Sequence, residues 1–228
     1  MCGRFSLATP PEEIARFFNL VALPRLKPRY NIAPTQDCAV IRAPGDDARE
    51  LVMMRWGLIP SWAKDMAIGN RMINARGESV GEKPAFRAAF RKRRCLVPAD
   101  GFYEWKKDGK AKQPYWIGRP GRVLFAFAGL WERWQGEGAE PIESFTIITT
   151  DANDAISGLH DRMPAILDPA QYDAWLDPAN EDAGALSDML DPAPVKMLEF
   201  HPVGTRINSP KNDDPSLLEP PPQTLFGE

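Results

Sequence analysis

Gly101-Phe102-Tyr103-Glu104-Trp105-Lys106-Lys107-Asp108-Gly109-Lys110-Ala111-Lys112-Gln113-Pro114-Tyr115-Trp116-Ile117 is the stretch that decides the architecture. Asp108-Gly109 is a two-residue hairpin signal, and the residues on either side alternate, so 101–106 and 113–117 read as antiparallel strands. Working outward, Val123 to Trp131 is a long apolar strand and Ser144 to Thr150 a β-branched one. Toward the amino terminus, Cys38 to Arg42 and Glu50 to Trp56 read as strands around a Pro44-Gly45-Asp46 turn. Pro164 to Leu167 and Val195 to Phe200 are further strand signals.

The helices expected between them are short. Thr9-Pro10-Pro11-Glu12 reads as a capping box opening a helix over 10–18, with Ile14, Phe17 and Phe18 at helical spacing. A basic helix follows Pro84 to about Arg93, Asp151 can cap one to Ser157, Asp168-Pro169 starts one to about Leu176, and another spans 182–190. Residues 21–36 and 57–82 read as irregular. No βαβ alternation is present, so the class is α+β rather than a Rossmann layout.

Composition narrows the function classes. The 228 residues are 43% hydrophobic and 26% charged, values of a globular chain. No apolar run approaches a membrane span, and no secretory pattern follows Met1, so a cytoplasmic protein is expected. Three scattered cysteines and two histidines make neither a disulfide framework nor a structural zinc site. The formal charge of −3 hides an asymmetry: residues 1–112 hold 21 Lys and Arg against 12 Asp and Glu, whereas 113–228 hold 7 against 19. Such a split fits an anionic partner on one face or two halves that attract each other.

Several residues carry candidate chemistry. If Met1 is trimmed, Cys2 presents an amine and a thiol on adjacent carbons, both with a usable nucleophilic fraction near neutral pH. A 1,2-aminothiol condenses with an aldehyde to an imine, and its thiolate then closes a thiazolidine ring. Against this stands a chance cysteine in a frayed terminus. Alternation puts Glu104 on one face with Phe102, where a carboxyl would be driven toward general acid–base work, unless the strand is an exposed edge. His160, between Leu159 and Asp161-Arg162, suits a proton shuttle or an ordinary loop histidine. Asn74 can position a sugar or carbonyl, and Arg76 offers a fork for phosphate.

Together these residues lie in stretches that resemble the SRAP-domain family of abasic-site-processing proteins, also described as SOS-response-associated peptidases. The matching stretches are Met1-Cys2-Gly3-Arg4-Phe5, Tyr30-Asn31-Ile32-Ala33-Pro34-Thr35, Trp56-Gly57-Leu58-Ile59-Pro60 and Ile73-Asn74-Ala75-Arg76. They continue with Cys95 to Trp105, Leu159-His160-Asp161-Arg162-Met163-Pro164 and Val203 to Pro210. Two departures, Asp214 where Gly is frequent and Ser79 where Thr is frequent, do not touch the chemistry. The resemblance implies curled, largely antiparallel β-sheets with a barrel-like core and peripheral helices. It implies a single domain over 1–215, leaving 216–228 as a Pro-rich tail.

The resemblance also implies that an exposed Cys2 bonds the ring-opened sugar of an abasic site in single-stranded DNA, with latent lyase activity. Asn74 would position the amino terminus or sugar, and Glu104 and His160 would move protons. Arg4, Arg76 and Arg162 would hold DNA, and Pro34 and Trp62 would stack on bases. No metal and no cofactor is called for, and a monomer, nucleoid-associated when on DNA, is expected. The alternative is an N-terminal-nucleophile hydrolase, such as a glutamine amidotransferase, which also begins Cys-Gly.

Overall fold

The computed structural model describes residues 2–43, 48–109, 111–138 and 140–221. The Pro44-Gly45-Asp46 turn, Met1 and the end of the expected tail lie outside the described residues. Thirteen strands are present: β1 Phe5–Leu7, β2 Arg29–Ile32, β3 Asp37–Arg42, β4 Glu50–Trp56, β5 Asn74–Arg76, β6 Arg94–Ala99 and β7 Gly101–Asp108. They continue as β8 Ala111–Gly118, β9 Phe125–Trp134, β10 Ile142–Asp151, β11 Arg162–Pro164, β12 Ile166–Leu167 and β13 Glu199–Pro202. The α-helices are short: α1 Pro11–Phe17, α2 Arg87–Lys92, α3 Tyr172–Leu176 and α4 Ala183–Asp188.

The strands form two layers. One sheet runs β13-β8-β7-β1-β2, all antiparallel. In the other, β3, β4, β10, β9 and β6 pair in turn and β6 returns to β3, closing a five-stranded barrel with one parallel contact, β4–β10. β5 and β11 extend β10, and β12 extends β9. The class is α+β, as the missing βαβ pattern requires. The Asp108-Gly109 hairpin joins β7 to β8 with Asp108 opposite Ala111, and Gly109 takes the positive φ (56°) that the turn demands.

Aromatic residues join the layers. Phe5 of β1 meets Trp56 of β4 at 5.2 Å and Phe127 of β9 at 5.9 Å between ring centroids, and Phe102 of β7 also meets Phe127. All four are fully buried. Fully burying one Phe stabilises by roughly 1.5–3 kcal/mol, so this contact seats the amino-terminal strand firmly on the barrel.

Several expectations are corrected. The capping box does not form: Pro10 is the N-cap of α1, and Thr9 donates its hydroxyl to Asp100 instead. Asp151 ends β10 and pairs with Arg162 rather than capping a helix; the backbone at 154–159 only turns. The final strand is shifted to Glu199–Pro202, opposite β8. β2 falls in the stretch read as irregular, and β6 carries Pro98 in a fully buried position. Among the described residues, no helix is long and apolar enough to cross a membrane.

Candidate active site

The first residues are placed by a buried carboxylate. Asp100, between β6 and β7, accepts the Ser6 hydroxyl at 2.7 Å on Oδ1. Its Oδ2 accepts the Ala8 and Thr9 N–H groups at 2.6 and 3.0 Å and the Thr9 hydroxyl at 3.0 Å. Arg122 balances the charge at 3.3 Å. Upstream, Tyr103 donates its N–H to Arg4 O at 2.9 Å. Extending the Phe5–Phe102 register brings Gly3 opposite Glu104 and Cys2 opposite Trp105.

Arg4 is tied down from the other side. Its Nη1 donates to Asn31 Oδ1 at 2.7 Å and Ile207 O at 3.0 Å, and its guanidinium lies over Trp105. Asn31 is fully buried, and its Nδ2 donates to the carbonyls of Ile207, Ser209 and Asn212. Asp213 accepts the Tyr30 and Asn31 N–H groups and the Arg29 guanidinium. A strap over 207–213 therefore clamps β2 and Arg4. Burial lowers the Arg4 pKa, and much of its donor capacity is already used by the protein.

Cys2 is 0% exposed in the chain that still carries Met1, not exposed as expected. Burial, and then the Glu104 carboxylate, push its thiol well above the ordinary range, opposed by the N-terminal ammonium. The thiol is thus held neutral, and reaction at Cys2 requires that its surroundings be opened or that a proton be taken from it.

Glu104 is only 3% exposed, because β7 is flanked by β1 and β8 and is no edge. Burial raises its pKa to about 7, against the pull of the N-terminal ammonium and the Trp105 N–H. His160 follows the turn at 154–159. Its Nδ1 lies 2.9 Å from the Arg162 N–H and 2.6 Å from Asp161 Oδ1. It accepts from the first when neutral and donates to the second when the proton sits on Nδ1. Burial lowers the His160 pKa, the ammonium and Lys107 push the same way, and Asp161 opposes them. The field of one N-terminal ammonium thus acts on Cys2, Glu104 and His160 together.

The remaining expected residues lie around this locus. Asn74 sits on β5 opposite Ile147, with a long 3.5 Å bond from Nδ2 to Ile147 O. Its buried Oδ1 has no hydrogen-bond partner among the described residues. Arg76, two residues on, is exposed, and its side chain makes no hydrogen bond or ion pair among the described residues. Arg162 is committed to Asp151, Glu78 and Thr149 O, which ties β11 to β10 below His160. Pro34 is half-buried between β2 and β3, and Trp62 is 59% exposed on the loop after β4. Sequence reading passed over Asn31, Asp100, Trp105 and Lys107. All four lie inside stretches quoted above, but only tertiary pairing shows what they do.

An amine beside a carboxyl of pKa about 7 and a neutral imidazole can add to a carbonyl, since a proton can be supplied to the departing oxygen and withdrawn from the adding nitrogen.

The family described as SOS response associated peptidase (SRAP) matches residues 1–210. Abasic site processing protein YoqW of Bacillus subtilis is 45% identical over 223 residues, covering 96% of this chain and 99% of the relative. Abasic site processing protein HMCES of Gallus gallus is 35% identical over 86% of this chain and 67% of its own. An X-ray structure of a Bacteroides thetaiotaomicron protein superposes with a TM-score of 0.87 at 27% identity, covering 96% of this chain and all of that one.

Proposed function

The chain belongs to the SOS response associated peptidase (SRAP) family, and from that premise we propose that it processes abasic sites in single-stranded DNA by covalent capture at Cys2. The observation that supports the reading is that the β1–β7 register sets Gly3 opposite the buried Glu104, so a carboxyl of pKa raised to about 7 lies beside Cys2. The names of the relatives support the substrate class.

Hydrolysis of the Met1–Cys2 peptide bond releases methionine and frees the α-amine of Cys2. A single strand presents its ring-opened sugar without an unpairing cost. The Cys2 amine adds to the C1′ aldehyde, and Glu104, protonated near neutral pH, gives its proton to the departing hydroxyl, so that water leaves as the imine forms. The Cys2 sulfur then adds to the imine carbon, its proton going to the nitrogen, and a thiazolidine results. Holding amine, thiol and acid together replaces a slow bimolecular condensation with an effectively unimolecular one. Ring closure consumes the imine before β-elimination cuts the strand, which leaves lyase activity latent. His160 exchanges protons with the site in either direction. Arg76, exposed and with no hydrogen bond to its guanidinium among the described residues, and Arg4 and Arg162 with what capacity remains, meet phosphates; Asn74 Oδ1 orients the amine or sugar. The peptidase of the family's description fits hydrolysis of this chain's own Met1–Cys2 bond. The protein acts as a monomer.

The test is a denaturing gel of protein mixed with abasic single-stranded DNA, with and without borohydride. Wild type gives a heat-stable adduct. Cys2→Ser, which retains a small second residue and hence a free amine, loses it and is trapped only by borohydride. A variant with a retained residue ahead of Cys2 gives neither; a heat-stable adduct from that variant would overturn the mechanism.

A further inference from the structure

Two loops outside the amino-terminal site leave rings at the surface, and one arginine joins them. Arg55, near the end of β4, donates from Nη1 to Thr35 O at 2.7 Å and from Nη2 to Asn70 Oδ1 at 2.9 Å. Thr35 adjoins Pro34, and Asn70 lies on the 3-10 turn Met66–Arg71 that closes the Trp62 loop. Thr35 is β-branched yet holds a φ of 72°, a conformation that costs on the order of 1–2 kcal/mol. It is retained by its N–H to Trp56 O, at 2.8 Å, and by the Arg55 bond to its carbonyl.

The Trp62 loop is pinned around its whole circuit. A Cβ on Gly57 would stand 2.5 Å from Gly69 O, so the two backbones touch where the loop begins and ends. Leu58 N–H donates to Met72 O at 3.1 Å, Ile59 N–H to Ser144 Oγ at 2.8 Å, and Trp134 Nε1–H to Ala63 O at 2.7 Å. On this fixed frame Trp62 is 59% and Met66 39% exposed. Apolar groups left in water on a rigid support are prepared for a partner, because the ordering entropy is already spent in the free protein.

We propose that Arg55 is a positioning residue that ties the Pro34–Thr35 turn to the pinned Trp62 loop, so that the two loops together offer one fixed slot to the unpaired bases beside the lesion. This rests on the single-strand reading above and adds the device that makes the slot. The residue must be arginine, because two acceptors on different loops are spanned by a planar fork and not by one ammonium. The Nε of Arg55 is buried without a hydrogen-bond partner among the described residues, so the side chain is held by its two terminal bonds.

The experiment compares wild type, Arg55→Lys, Arg55→Met, Trp62→Ala and the double variant Arg55→Met/Trp62→Ala. Binding of an unmodified single-stranded oligonucleotide is measured at a temperature where all are folded. Capture of an abasic oligonucleotide and of free deoxyribose 5-phosphate is followed by mass. Each Arg55 variant should bind the unmodified strand about tenfold more weakly, the scale of one lost base stack. The ratio of oligonucleotide capture to deoxyribose phosphate capture should fall by a similar factor. Arg55→Lys should be no better than Arg55→Met, and the double variant no weaker than Trp62→Ala alone. Wild-type affinity in Arg55→Met, rescue by Lys, or additive losses in the double variant would overturn the proposal. Failure of wild type to capture deoxyribose phosphate would count against the Cys2 chemistry and leave the binding result on Arg55 standing.

Discussion

Replacing Glu104 by Gln should make the protein more stable and slower at once. The carboxyl lies almost wholly buried on β7, and burial moves its pKa from 4.5 to about 7. Below 4.5 it is protonated in both folded and unfolded chains and costs nothing. Between those values the folded state keeps a proton that the unfolded state releases, so stability falls as pH rises, by up to about 1.4 kcal/mol per pH unit. Above about 7 the loss is complete, and the shift corresponds to roughly 3 kcal/mol. Gln cannot ionise, so the slope vanishes, and because the shift to about 7 already includes the attraction of the N-terminal ammonium, the gain at pH 8 is up to about 3 kcal/mol. Urea unfolding of both proteins at pH 5, 6, 7 and 8 reads this directly. The advantage of Glu104→Gln should grow with pH. In the same samples, capture of abasic DNA should slow by about 10²–10⁴, the usual contribution of a positioned proton donor. A stability difference that is flat across the series, or a variant less stable at pH 8, would refute the assignment of a desolvated carboxyl.

Two further outcomes are expected. Arg76→Ala should lower the salt dependence of single-strand binding by about 0.7 log units per tenfold salt, the share of one phosphate; an unchanged slope would remove Arg76 from the contact. Asp100→Ala should cost on the order of 3 kcal/mol in urea unfolding, since it strips acceptors from Ser6, Ala8 and Thr9 and a counter-charge from Arg122; a loss under about 1 kcal/mol would mean that water replaces the carboxylate.

What was legible in the sequence follows from how far each signal reaches. The 101–117 hairpin is written locally, in alternation and in Asp108-Gly109, and its two strands pair as expected, although Asp108 is paired with Ala111 at the end of β7 rather than lying in the turn. β2 was missed because its N–H groups at Tyr30 and Asn31 are satisfied by Asp213, nearly the whole chain away. β6 was missed because Pro98 argues against a central strand, yet the strand is fully buried in the barrel. Thr9-Pro10-Pro11-Glu12 reads as a cap because its spacing is right; Asp100 outcompetes the helix for the Thr9 hydroxyl. For the site, residue types and motif order pointed to Cys2, Glu104 and His160. The state of Cys2 was not legible, because burial of a thiol is a property of the sheet closing over it, not of its neighbours in sequence.

The strap that joins Asn31 and Arg4 to Ile207, Ser209, Asn212 and Asp213 also sets a clock on the ribosome. Cys2 is made long before the strap that clamps Arg4, two residues from it. At roughly 5–20 residues per second, about 10–40 s separate the two. Throughout that interval the nascent end lacks Glu104, then His160, then the strap, and its amine and thiol are an unassisted pair in water. A chain cut short before residue 207 would carry a thiol no longer neutralised by burial, so once Met1 is removed truncated products should condense with any small aldehyde, without the selection that the closed site imposes.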